Sequence, residues 1–347
     1  MYFNRRELEK FRSFNGPLID VRSPSEYYKG HMPNSFNIPL FDDDERSIIG
    51  KVYKSEGREK AVIKGLIFFE KKLELLLDNL FNYIENQNII SKKNNKELSI
   101  RIYCARGGMR SQSISWLLEK YKFRPITLIG GYKTYRRWAL DTFSKKWNIV
   151  IIGGKTGTGK TRLLSLLEKY KYQTIDLEGF ACHRGSTFGA LGMKEQPTNE
   201  QFENKIAEKL NCFKIINKIF VEAESANIGK CKIPHDFFNQ MKTSMRIEIE
   251  RSESNRLEEL INTYSVFKKE ELKESVLRIK KRLGPQRTKK ALESIDNEKW
   301  ELVCRSVLDY YDRCYEYEKV DKDNIKTLDL TDKIYDDKIL GLINNIL

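Results

Sequence analysis

Cys104 stands where a strand-like run gives way to "CARGGMRSQSI", a segment that puts two glycines and two arginines within six residues of the thiol. Gly107 and Gly108 free the backbone to turn, and a helix beginning near Arg110 aims its unpaired N–H groups back toward the sulfur. Helix N-termini and nearby cations favour a thiolate, the form of cysteine that attacks or carries another atom. Cys104 to Arg110 is also a C-x5-R spacing, in which a ring of donors fits a tetrahedral oxyanion. Cys104 is therefore read as a nucleophile, with Arg106, Gly107, Gly108 and Arg110 as its anion loop. The alternative is a buried thiol acting only as a small hydrophobe.

A second anion site is written in "GKTGTGKT", which fits G-x-x-x-x-G-K-[ST] with Gly154, Gly159, Lys160 and Thr161 at the defining places and Gly157 between them. A buried-type strand precedes it and a helix follows. In that setting successive backbone N–H groups point inward, the helix N-terminus adds positive potential, and Lys160 neutralises phosphate oxygens. Thr161 offers a position for magnesium. The motif specifies a phosphate or diphosphate without specifying ATP.

Further candidates lie at expected strand ends of the same region. Glu222, in "KIFVEAES", is placed to contact a metal or water, or is a plain strand-end carboxylate. Asp176 and Glu178 leave a strand and lead through "TIDLEGFACHRGSTFGALG" to Arg184, and loops at the C-terminal ends of parallel strands are where α/β folds hold ligands. Cys182 and His183 are adjacent and so point apart; no residue is assigned as a metal ligand.

These residues need a scaffold of alternating strands and helices. "PLIDV", "SFNIP", "LSIRIY" and "ITLI" read as strands and "RSQSISWLLEKY" as a helix, which predicts a parallel sheet. In the insertion "REKAVIKGLIFFEKKLELLLDNLFNYIENQ", Val62, Leu66, Phe69, Leu73, Leu76, Leu77 and Leu80 recur at helical spacing, predicting a core-facing helix closed by a surface loop at "SKKNNKE". A new domain begins near residue 146, with strands "QTIDL", "KIFVEA", "MRIEIE" and "IKTLDL" and an almost wholly helical stretch from Glu253 to Lys319. The expected domains are 1–145 and 146–347.

Composition narrows the partners. The formal net charge of +14 over 347 residues favours a polyanion, most simply nucleic acid. The N-terminal "MYFNRRELEKFRSF" lacks the apolar stretch of a secretory signal, and no segment reaches membrane-span length, so a cytoplasmic protein with no membrane association is expected. The six cysteines form no CxxC pair or Cys/His cluster, against a disulfide framework or structural zinc.

"LIDVRSPSEYYKGHMPNSFNIP", "CARGGMRS" and "IGGYKTYRRW" resemble a rhodanese-type domain, whose loop cysteine carries a chalcogen. His31, in "GHMPNS", is read as a turn-packing residue rather than a base. Joined to the P-loop region, and with "DDDERSIIGKVYKSEGREKAVIKG", "DLEGFACHRGSTFGALG", "QPTNEQFEN", "VEAESANIGKCKIP" and "IKKRLG", the chain resembles the bacterial tRNA 2-selenouridine synthase family over nearly its whole length. The resemblance implies an α/β protein: a rhodanese-like parallel-sheet domain, then a P-loop NTPase-like α/β domain with a helical C-terminal part.

It also implies a transferase that exchanges the sulfur of wobble 2-thiouridine for selenium, in the tRNAs for Lys, Glu and Gln, and attaches a geranyl group to that sulfur. The implied substrates are selenophosphate, suited to the Cys104 loop, and geranyl diphosphate, suited to the Lys160 cradle, with no tightly bound cofactor and magnesium as an option. Alkylation would come first, because sulfide leaves a pyrimidine poorly and a neutral thiol leaves well.

For tRNA, the basic candidates are Lys133, Arg136 and Arg137 in the first domain and Lys280, Lys281, Arg282, Arg287, Lys289 and Lys290 in the helical stretch. Tyr53 and Phe188 are weaker candidates for stacking on a splayed base. Two other functions fit parts of the pattern: a cysteine-dependent phosphatase, with Tyr103 where such enzymes often carry histidine, and a nucleotide-switched RNA-binding protein with an inert Cys104.

Overall fold

Strands form where apolar runs are short and β-branched, and among the described residues they make two five-stranded sheets and one two-stranded pair. The computed structural model describes residues 4–92, 99–316, 324–331 and 338–346. The chain divides into two units, Met1–Thr142 and Phe143–Leu347, just before the expected boundary at 145/146.

The first unit runs β1 (Arg5–Arg6), α1 (Leu8–Ser13), β2 (Leu18–Asp20), α2 (Pro24–Lys29), β3 (Phe36–Asn37), α3 (Asp43–Glu56), α4 (Arg58–Lys92), β4 (Ile100–Tyr103), α5 (Met109–Lys120), β5 (Pro125–Leu128) and α6 (Gly131–Phe143). Its five strands pair in the order β1-β5-β4-β2-β3, every pair parallel. Central strands covered on both faces leave β2 (LID) buried throughout, with Asp20 paired to Arg22, and β4 (IRIY) buried at every residue but Arg101. One face packs Ile19, Ile102, Ile114, Leu118 and Leu80; the other packs Phe11, Tyr103, Tyr135 and Leu128.

The insertion is the single helix α4, which follows directly on α3. Asp42 caps α3 by accepting from the Glu45 N–H at 2.9 Å, Glu45 returns the bond to the Asp42 N–H at 3.1 Å, and Lys72 of α4 reaches both carboxylates at 2.6 Å. Leu76 and Leu80 are buried as the spacing predicts, but Leu66 is not a core residue: it is 59% exposed. The early turns of α4 lie against α3, which itself buries no side chain, so the apolar stripe is only half-covered there. Most of the expected loop "SKKNNKE" lies outside the described residues.

The second unit runs β6 (Ile149–Gly154), α7 (Lys160–Lys169), β7 (Gln173–Ile175), α8 (Leu177–Ala181), α9 (Asn199–Asn211), β8 (Ile219–Glu222), β9 (Asn227–Ile228), β10 (Cys231–Lys232), α10 (His235–Thr243) and β11 (Met245–Glu250). Then follow α11 (Glu253–Tyr264), α12 (Lys269–Arg278), α13 (Lys280–Leu283), α14 (Pro285–Asp296), α15 (Trp300–Glu316), β12 (Ile325–Asp329) and α16 (Lys338–Ile346). The main sheet has the order β12-β11-β6-β8-β7, all parallel, with β6 buried along its whole length at the centre. Connections leave β6 toward both edges, which opens a crevice at its C-terminal end. β9 and β10 form a separate antiparallel pair. The helices α12 to α15 bury a cluster of their own around Leu272, Val276, Ile279 and Ile295.

Candidate functional site

Cys104 follows β4 directly, at the C-terminal end of the first sheet. Its carbonyl accepts from the Tyr132 N–H at 2.8 Å and that of Ala105 from the Lys133 N–H at 3.0 Å, so the loop is tied to the first turn of α6. Gly107 has φ +62°, and a β-carbon there would collide with the Leu128 carbonyl, so this turn admits only glycine. Cys104 is 3% exposed, and its sulfur lies 3.3 Å from the Ser111 hydroxyl, which donates to the Gly108 carbonyl at 3.1 Å. α5 begins at Met109 with Gly108 as its N-terminal flank, as the thiol reading required.

The arginines depart from the expected ring. Arg110 is bound by Glu26 of α2, with Nη1 to carboxylate 2.6 Å, and Arg106 is exposed. Glu26 is the pivot: it also accepts from the Ser23 N–H at 3.3 Å and lies 3.7 Å from Arg46. Burial raises its pKa, but the hydrogen bond and charge of Arg110, with Ser23 and Arg46, outweigh that and hold it below its ordinary value. Spacing gave no hint of Glu26, which reaches Arg110 across the fold. Beside the loop, Asp20 and Arg22 form a buried pair at 2.6 Å, and Arg22 lies 3.8 Å over the Tyr132 ring. His31 stacks on Tyr27 with centroids 3.8 Å apart, the turn-packing role expected of it.

The second site surrounds the turn between β6 and α7. Gly157, at φ +79°, packs where a β-carbon would meet the Arg256 carbonyl oxygen at 2.7 Å. Arg256 is itself nearly buried; it donates to the Thr156 carbonyl at 2.9 Å and pairs with Asp312 at 2.5 Å, bracing the turn from α11 and α15. Neither buttress was legible in the motif. Lys160 donates to the Gly154 carbonyl at 2.9 Å.

A cavity of about 900 Å³ opens on this turn and brings Lys160, Thr161, Asp176, Glu178, Arg184 and Glu222 together. Asp176 is in part structural, capping α8 by accepting from the Gly179 N–H at 2.7 Å. Arg184 donates to the Leu191 carbonyl at 2.7 Å. Glu178 and Glu222 are both pushed above the usual carboxylate range, mainly by burial and by neighbouring carboxylates, with Lys160 opposing. Glu224, which sequence reasoning passed over, completes an acidic group with them.

The basic candidates Lys133, Arg137, Lys280, Lys281, Arg282, Arg287, Lys289 and Lys290 are exposed, and Arg136 is half-buried. Tyr53 is 58% exposed, but Phe188 is 3% exposed and packed against Tyr264, so it offers no face to a base. Among the described residues, no helix is long and apolar enough to cross a membrane.

Residues 5–137 match the rhodanese-like domain. Residues 147–332 match the AAA domain of tRNA 2-selenouridine synthase. The chain belongs to the tRNA 2-selenouridine synthase family. Among proteins of that name, the one from Sulfurovum sp. is 31% identical over 89% of this chain and 91% of its own length. That from Aeromonas salmonicida is 34% identical over 78% of this chain and 75% of its own. That from Nitrosomonas eutropha is 34% identical over 75% of this chain and 66% of its own. As a member of the tRNA 2-selenouridine synthase family the chain is an enzyme, of the transferase class.

Proposed function

We propose that the protein converts 2-thiouridine at the wobble position of the tRNAs for Lys, Glu and Gln into 2-selenouridine, by way of S-geranyl-2-thiouridine. The observation that supports the reading is that one chain of this family joins a rhodanese-like domain, with a thiol loop after β4, to a domain with a glycine-rich P-loop-type turn after β6. Selenophosphate, a tetrahedral oxyanion, suits the first, and geranyl diphosphate suits the second. Met193, Leu260 and Tyr264, which line the cavity along with Lys160, give an isoprenoid chain apolar surface beside its diphosphate.

In the first step the thiocarbonyl sulfur attacks C1 of geranyl diphosphate. The C–O bond breaks, diphosphate departs with the electron pair, and the nucleoside gives up its N3 proton. Lys160 and the cradle N–H groups stabilise the charge that develops on the leaving oxygens. In the second step the selenium of selenophosphate held in the Cys104 loop attacks C2, the C2–S bond breaks and geranyl thiol leaves with a proton; water then cleaves the P–Se bond, releasing phosphate and leaving 2-selenouridine. The buried Glu222 carboxylate and the Thr161 hydroxyl are suited to a magnesium ion, which would screen diphosphate charge during the first step.

The test is mass analysis of nucleosides from 2-thiouridine-bearing tRNA incubated with the protein, geranyl diphosphate and selenophosphate. Wild type is expected to give 2-selenouridine, Cys104→Ala to stop at S-geranyl-2-thiouridine, and Lys160→Ala to leave 2-thiouridine unchanged. Wild-type protein that binds tRNA and leaves the nucleoside unchanged would defeat the proposal and favour a nucleotide-switched RNA-binding role.

A further inference from the structure

Glu178 in α8, Glu222 at the end of β8 and Glu224 just beyond it offer carboxylate oxygens that all lie within 4.8 Å of one another. Glu222 is fully buried, and neither of its oxygens has a hydrogen-bonded partner. The Thr161 hydroxyl is near enough to favour the ionised form weakly, but its geometry closes no hydrogen bond to Glu222. An unpaired buried carboxylate is costly, and an apolar side chain in its place would fold at least as well. A structural role therefore does not account for it.

The opposite wall of the group points the same way. The chain passes the acidic group at Gly185, where a β-carbon would fall 2.8 Å from a Glu224 oxygen and 3.1 Å from a Glu178 oxygen. The space facing these two carboxylates is thus kept open by a residue without a side chain.

We propose that Glu178, Glu222 and Glu224 together bind one divalent cation of the magnesium class beside the phosphate cradle. A set made only of carboxylate oxygens suits a hard cation such as Mg²⁺, Mn²⁺ or Ca²⁺ and is poor for soft metals. A cradle hydroxyl and one strand-end carboxylate would rely on the incoming phosphates to complete the shell. Two further glutamates from separate segments let the protein hold the ion before any phosphate arrives. Binding favours the ionised form of Glu178 and Glu222. The inference deepens the proposed diphosphate chemistry, yet it stands on the carboxylates alone and is tested without that chemistry.

Mn²⁺ is the probe, titrated into the full chain without geranyl diphosphate or tRNA and followed by the electron paramagnetic resonance of free Mn²⁺. One site per chain is expected, displaced by Mg²⁺ in competition, with affinity falling at least tenfold in Glu222→Gln and in Glu178→Gln and also weakened in Glu224→Gln. Circular dichroism of each variant separates lost binding from lost folding; Glu222→Gln removes a buried charge and is expected to fold. No saturable Mn²⁺ binding, or binding equal in wild type and all three variants, overturns the site. Mn²⁺ bound as expected in a protein that transfers no geranyl group upholds the site and defeats the functional reading instead.

Discussion

Glu26 decides what Arg110 is doing in the resting enzyme. The guanidinium that the C-x5-R spacing assigns to an incoming oxyanion is held at 2.6 Å by this carboxylate, so an anion in the loop must compete with Glu26 for it. Glu26→Gln keeps the shape and removes the charge; it is expected to cost about 1 kcal/mol in urea unfolding at pH 7. Because the folded state holds the Glu26 proton less tightly than the unfolded chain, this contribution is complete above the ordinary value of 4.5 and fades as pH falls through the lowered folded value. Wild type and variant should therefore converge in stability on acidification, and a gap that persists at pH 2 would assign the effect to packing. Cys104 and Lys160 were legible in the sequence because each motif is local and carries its own helix start. Glu26, Glu224 and the Arg256–Asp312 brace were not, because each reaches its partner through the tertiary fold.

At the scale of elements, the sequence pattern located every described strand of four or more residues, because β5, β6 and β8 are buried throughout and β11 alternates Ile with charged residues. β1, β9 and β10, of two residues each, carry no periodic signal and exist because a neighbouring strand or turn offers hydrogen bonds. The helix α4 shows where periodicity overreaches. It identifies an apolar stripe, but how much of that stripe is covered depends on what lies alongside. Leu80 is fully buried against the sheet, so Leu80→Ala is expected to cost about 2 to 5 kcal/mol through the cavity it leaves. Leu66, 59% exposed, should change stability by no more than about 0.5 kcal/mol when cut to alanine. Chemical denaturation of the two variants checks the pair, and equal costs would mean that the early turns of α4 are covered in solution.

At the scale of the whole molecule, an excess of 14 positive charges is costly self-repulsion unless a polyanion uses it. α13 and the start of α14 concentrate this charge: Lys280, Lys281, Arg282, Arg287, Lys289 and Lys290 are all exposed on a part of the second unit with its own helical core. Neither the Cys104 loop nor the Lys160 turn requires that density, whereas an RNA backbone would. Lysines that neutralise phosphates release counterions, so tRNA affinity should fall steeply and linearly on logarithmic axes as salt is raised. A Lys280→Glu/Lys281→Glu double variant should weaken binding across tRNA sequences and reduce the magnitude of that slope by about 2, since each lost phosphate contact removes roughly 0.9. Filter binding across a salt series measures both quantities. An unchanged slope would move the RNA footprint off these helices and toward Arg136 and Arg137 of α6, where the same substitution and the same salt series apply.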